Sequence, residues 1–390
     1  MLKVYMDHAA ATPLDKRVFA AMTPYLTTIF GNPASLHAWG EEAKSGLEKA
    51  RGQVAELIGA QPEEIIFTAS GSEANNLAIK GLAGARRKKG KHIIISTIEH
   101  FSVLHSAKQL EKEGYEVTYV PVDSQARVDP ADVEKAIRPD TILISITFAN
   151  GEVGTIQPIR EIAALAAGHD IALHTDAVAA AGSVPINVQK IGVTALSLAA
   201  DQFYGPKGAA ALFVKKRTRI KQLIDGGIQE GGKRAGTENV PAIVGMGVAA
   251  ELAAEEMDAR AARLIPLRDR LMEQLTTRIP HSVINGDREL RLPGNVHVGI
   301  EYIEGESMLI MLNMQGIAAA SGSACTSRAL KASHVLTAMG IPHEKVHGSL
   351  LFSLGVENTQ EEVDYVSQAL PPIVERLRAM SPMTPEHESE

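Results

Sequence analysis

The chain has one cysteine in 390 residues, Cys325, inside the run SGSACTS (321–327). A thiol acts as nucleophile or metal ligand through its thiolate, so it needs a setting where its proton leaves readily. Arg328 and Lys331 follow closely, cations of the kind that lower a thiol pKa. The Ser, Gly and Ala around Cys325 make a polar turn, which favours a reactive thiol over an inert apolar filler. A second chemical feature is FTASGSEANNLAIKG (67–81), which runs from β-rich residues through small ones into a helical pattern. Gly71 and Ser72 fall at the helix N-terminus, where free N–H groups and the dipole favour an anion. The same turn also serves as a plain N-cap without any ligand.

The elements that must position these residues alternate in type. Candidate strands are 64–68, 92–97, 116–122, 141–147, 170–176 and 208–214, rich in Ile and Val. Helical patterns lie between several of them. The clearest covers 36–58, with Leu36, Trp39, Ala43, Leu47, Ala50, Val54 and Leu57 at three- and four-residue spacing. Such alternation predicts an α/β fold with a mostly parallel sheet covered on both faces, its ligand at the carboxyl ends of the strands. A long helix is expected over 240–278, with Glu and Arg from 246 onward forming a solvated face that bridges two domains. Beyond it, 281–285, 294–300 and 349–354 read as strands and 305–314, 329–339 and 359–378 as helices. The predicted organisation is a large domain over 14–260, a smaller α+β domain from 1–13 and 261–378 carrying the cysteine loop, and a polar tail over 379–390.

Composition narrows the function classes. The chain is 45% hydrophobic and 22% charged with a net charge of −7, as in ordinary globular proteins, and gives no electrostatic reason to expect nucleic acid. The basic run Arg86–Lys89 suits a helix C-terminus. No apolar run reaches the roughly 18 residues that span a bilayer, and the N-terminus turns polar too early for a signal peptide. A lone cysteine forms no internal disulfide and points to a reducing cytoplasm.

Taken in order, GNPASLH (31–37), SGSEANNLAI (70–79), EH (99–100), NGEVGTIQPI (150–159), HTDAV (174–178), YGPKG (204–208), KRAGTENVPAIVG (233–245) and SGSACTS resemble the cysteine desulfurases. These are pyridoxal-phosphate enzymes of the class V aminotransferase group, and the resemblance spans roughly residues 4–378. It implies fold type I, a homodimer, and sulfur passed from L-cysteine through a persulfide on the loop cysteine to an iron–sulfur scaffold protein or another acceptor. It gives Gly71 and Ser72 to the cofactor phosphate, with Thr237 reaching that phosphate in the other subunit. His100 would stack on the pyridine ring, Asp176 pair with its nitrogen, Asn150 contact its hydroxyl, and Cys325 receive the sulfur.

Five positions depart from the family pattern. The Schiff-base lysine is Gln202, the histidine before it Asp201, and the phosphate-binding serine Ala199. The glutamine that contacts the ring is Ala179, and the arginine that grips the substrate carboxylate is Leu351. A lost hydrogen bond to a charged phosphate costs about 1.5–3 kcal/mol. A lost cationic partner of a buried carboxylate costs about 2–5 kcal/mol. The expectation is a desulfurase-like protein without covalently bound pyridoxal phosphate. Cys325 would act as persulfide carrier, or as ligand of an iron–sulfur cluster shared with a scaffold partner. Two alternatives stand beside it. One is an active desulfurase with non-covalently held pyridoxal phosphate; the other is a metal site made by Asp201, Asp176 and His100.

Overall fold

The computed structural model describes residues 2–321 and 332–381. Among them the strands are β1 (Val4–Tyr5), β2 (Ile65–Thr68), β3 (His92–Ser96), β4 (Glu116–Val120), β5 (Thr141–Ser145), β6 (Ala172–Asp176), β7 (Ala195–Ala199), β8 (Ala210–Val214), β9 (Ser282–Ile284), β10 (Asn295–Ile300), β11 (Ile317–Ala318) and β12 (Ser349–Ser353). Seven of them form one sheet in the order β2-β8-β7-β6-β5-β3-β4. Strands β3 to β7 pair in parallel, and β8 runs antiparallel to both its neighbours. The expected α/β architecture is therefore present. Alternate residues of each strand feed opposite faces: Ile93 and Ile95 pack into one apolar core and Ile94 into the other.

A second sheet, β12-β10-β9, is antiparallel and has its own core, which includes Val4, Met6, Leu271, Phe352 and Leu370. The chain's first strand adds to that core from a separate two-stranded sheet, in which Val4 and Tyr5 of β1 pair with Ile317 and Ala318 of β11.

The helix Val240–Arg278 ties the two cores together. Ala242, Met246, Ala249, Ala250 and Ala253 pack in the first core, and Leu264, Leu271, Met272 and Leu275 in the second. The solvated face expected from residue 246 onward is present, with Glu251, Glu255, Asp258, Arg263 and Glu273 exposed, while the opposite side packs into both cores. Small residues allow it: a Cβ added at Gly247 would lie 2.6 Å from Ala50 of the neighbouring helix Ala38–Leu57.

That neighbouring helix also differs from its sequence pattern at the start. His37 is its N-cap, accepting from Gly40 N, so Leu36 lies outside it and is 97% exposed, while Trp39 is 57% exposed. The buried stripe is Ala43, Leu47, Ala50, Val54 and Leu57. The basic run does close the helix Gly71–Arg86, where Arg86 and Lys89 pair with Asp170.

Candidate active site

The expected site residues gather at the carboxyl ends of the central strands. Gly71 and Ser72 open the helix Gly71–Arg86 behind β2, and the N-cap is Ser70, which accepts from Glu73 N at 3.1 Å. Glu73 folds back onto Ala69 N at 2.9 Å and pairs with Arg234 at 2.9 Å. Asp176 ends β6 and is buried. Its Oδ1 accepts from Val178 N at 3.0 Å and its Oδ2 from Asn75 Nδ2 at 2.6 Å. Asn75 Nδ2 also donates to Ser102 Oγ at 2.9 Å, and Ser102 Oγ lies 2.7 Å from His100 Nδ1. A polar chain thus runs from the Asp176 carboxyl through Asn75 and Ser102 to His100, the N-cap of helix Phe101–Lys112.

Burial raises the pKa of Asp176, and the Val178 N–H, the His100 charge and the Asn75 amide oppose that rise. Glu99, next to His100, is fully buried and pushed up to about 8, chiefly by desolvation, with Asp176 adding to the rise. Its Oε1 accepts from Thr147 N at 2.8 Å and from Ser96 Oγ. Asn75, Ser102 and Glu99 carried no role in the sequence reading. The signal for the first was the paired amide in EANN, and for the last the acid of EH.

Asn150 spends most of its side chain on its own turn. Its Nδ2 donates to Ile98 O, and its Oδ1 accepts from Glu152 N and Val153 N, each at 3.0 Å. Thr237 lies exposed on this chain. Cys325 lies outside the described residues.

The departures from the family pattern fall together. Strand β7 ends at Ala199, and Asp201 and Gln202 follow in a single 3₁₀ turn. Gln202 Nε2 donates to Ala9 O at 3.2 Å. Gln202 and Ala179 line a cavity of about 100 Å³ with His8, Tyr204, Arg260 and Asn295. Burial raises the pKa of Asp201, and the Lys207 charge opposes the rise. Leu351, at the centre of β12, is buried opposite His297 of β10. Among the described residues no three His, Cys, Asp or Glu side chains gather to hold a metal ion. Of the three residues of the metal alternative, Asp176 is bonded to Asn75 and Val178 N, and His100 to Ser102.

The class-V aminotransferase family model matches residues 4–366. The cysteine desulfurase IscS of Methanosarcina thermophila is 53% identical over 382 residues, which cover 98% of this chain and 94% of that protein. The chain belongs to the cysteine desulfurase family. Its IscS relative in Dictyoglomus turgidum is 50% identical over 380 residues, covering 97% of this chain and 96% of that protein. Among solved structures, a NifS-like protein superposes with a TM-score of 0.91 at 37% identity, covering 96% of this chain and all of that one. A NifS-like protein of Rickettsia africae gives 0.87 at 30% identity with the same coverage. The fold is thus that of the fold-type I pyridoxal-phosphate proteins.

Cysteine desulfurases use pyridoxal phosphate as an electron sink, which a carboxylate at the ring nitrogen sustains. The buried carboxyl of Asp176 beside His100 suits the ring. The side chain at 202 does not suit the covalent anchor, because an amide held on the Ala9 carbonyl offers no amine. The residues present do not fit a covalently held cofactor, so no chemical step is derived through it.

Proposed function

We propose that this desulfurase-family chain serves sulfur transfer or iron–sulfur cluster assembly in the cytoplasm, with Cys325 as its chemical centre and no efficient desulfuration of its own. The observation that carries this reading is the Gln202 amide where the frame requires an amine. Leu351 adds to it, since an apolar side chain gives a substrate carboxylate no cation. The thiolate of Cys325 would take sulfur by exchange or ligate iron in a cluster shared with a scaffold partner. The test is to load the full chain with an iron–sulfur scaffold protein, ferrous iron and sulfide, and to measure bound cluster. The wild type is expected to retain a cluster that Cys325→Ser loses; equal cluster content in the two overturns the role of Cys325.

Two further statements belong to the proposal. The division into 14–260 and 1–13 with 261–378 is supported by the helix Val240–Arg278, which gives its first half to one core and its second to the other. A homodimer is supported by the exposure of Phe30, Leu36, Trp39 and Ile228, large apolar side chains that a lone chain leaves in water.

A second reading, desulfuration with non-covalently held pyridoxal phosphate, draws on the intact Asp176–Asn75–Ser102–His100 chain. Incubation with L-cysteine and millimolar pyridoxal phosphate separates the two. Catalytic release of alanine favours the second, and its absence the first.

A further inference from the structure

The cavity of about 100 Å³ that Gln202 and Ala179 help to line takes its walls from both cores. Ser183 comes from the segment between β6 and β7, Asn295 from the start of β10, and Arg260 and Leu264 from the helix Val240–Arg278. Asp176, His100, Ser72 and Leu351 do not line it. It is therefore a different place from the one the resemblance gives to the cofactor ring, its phosphate or the substrate carboxylate.

Arg260 is the cation in this wall, and its side chain is only 11% exposed. Its Nε and Nη2 donate to Glu256 Oε2 at 3.2 and 2.8 Å, and the guanidinium lies over the Tyr204 ring, 5.1 Å from the centroid. These contacts fix the group and leave Nη1 over. Nη1 is buried and has no hydrogen-bond partner among the described residues. A buried charged donor without an acceptor is costly, and the cavity that Arg260 lines is where an acceptor can sit.

The surroundings say what kind of acceptor. Glu256 does not serve Arg260 alone, because it also takes Arg17 at 2.6 Å, and Arg17 holds Asp15 at 2.7 Å. An ionised oxygen is a stronger partner for a guanidinium than a neutral one. The four side chains nonetheless sum to no net charge, so a single added anion is held with modest affinity. The cavity has the space of about three waters, and is smaller than one of about 150 Å³ that admits benzene. Ala179, Leu264 and Leu292 give it an apolar side.

We propose that this cavity binds a small carboxylate of two or three carbons, its head on Arg260 Nη1 and its stem against Ala179, Leu264 and Leu292. Because the walls come from both cores, the bound anion joins them, and the folded chain gains stability as the anion concentration rises.

The experiment titrates the full chain with acetate and propionate labelled with carbon-13, at constant ionic strength, following ligand line width by nuclear magnetic resonance. Both should broaden saturably, with Kd on the order of millimolar. Acetamide, which has the shape of acetate without its charge, and benzoate, which is too large, should each bind at least about tenfold more weakly. Arg260→Met should weaken acetate by about tenfold or more. Broadening that never saturates, acetamide equal to acetate, or an acetate affinity unchanged in Arg260→Met overturns the site. Should Arg260→Met fail to fold, Ala179→Leu decides, since it fills the cavity and leaves the guanidinium in place. Loss of acetate binding in that variant supports the site, and retained affinity overturns it.

Discussion

Gln202 donates its side-chain amide to the main-chain carbonyl of Ala9, 3.2 Å away and on the opposite side of the chain's sequence. The bond fastens the N-terminal segment to the turn after β7. It occupies the side chain at the position where the family resemblance places the cofactor's lysine.

Restoring that one residue should not restore the family reaction. In Gln202→Lys, Leu351 still offers no cation to a substrate carboxylate, a deficit of about 2–5 kcal/mol. Alanine release from L-cysteine with added pyridoxal phosphate is expected to be at least about tenfold lower in Gln202→Lys than in Gln202→Lys/Leu351→Arg. Equal rates in two folded variants would show that position 351 does not limit the reaction.

The Asp176–Asn75 bond at 2.6 Å can be tested through stability. Asn75→Ala removes a donor from a buried carboxyl and leaves Asp176 Oδ2 without its partner. A loss of about 1.5–3 kcal/mol is expected in denaturant unfolding at neutral pH. A loss below about 0.5 kcal/mol would mean that the bond contributes little.

Glu99 makes a prediction about pH. Its folded pKa is raised to about 8, above its ordinary value, so the native state holds a proton that the unfolded chain releases at much lower pH. The contribution of this group is therefore fully present below the ordinary carboxylate range and is lost as pH rises through about 8. Glu99→Gln, which keeps an acceptor for Thr147 N, should melt higher relative to wild type at about pH 8 than at about pH 5. An equal difference in Tm at both pH values contradicts the assignment.

Self-association is the fourth test. Leu36 is 97% exposed and Ile228 is 89% exposed. Sedimentation velocity should find a dimer for the wild type, and Leu36→Glu with Ile228→Glu should shift it toward monomer. An unchanged sedimentation coefficient would place the dimer contact elsewhere.

Much of the frame was legible in the sequence because parallel strands buried on both faces read as continuous Ile and Val runs. The six strands anticipated from such runs all lie within a residue or two of those observed. Strand β7, ALSLA, was missed because alanine carries no β signal. Its place in the sheet comes from its neighbours β6 and β8, which are remote from it in local pattern. The site divides in the same way. Gly71, Ser72, His100 and Asp176 follow from ordered local motifs. The chain from Asp176 through Asn75 and Ser102 needs a helix, a strand end and a second helix brought together, which no spacing announces. The cavity that Arg260 and Gln202 line needs both cores in place, a matter of tertiary packing.

The pairing of Val4 with Ile317 sets an order of events at the ribosome. The first strand leaves the exit tunnel about 300 residues before its partner is made, a wait on the order of 15–60 s at about 5–20 residues per second. The seven-stranded sheet has all its strands by Val214, so it can assemble during that wait. The N-terminal segment meanwhile has no partner strand, and Ala9 can reach Gln202 before β1 has reached β11.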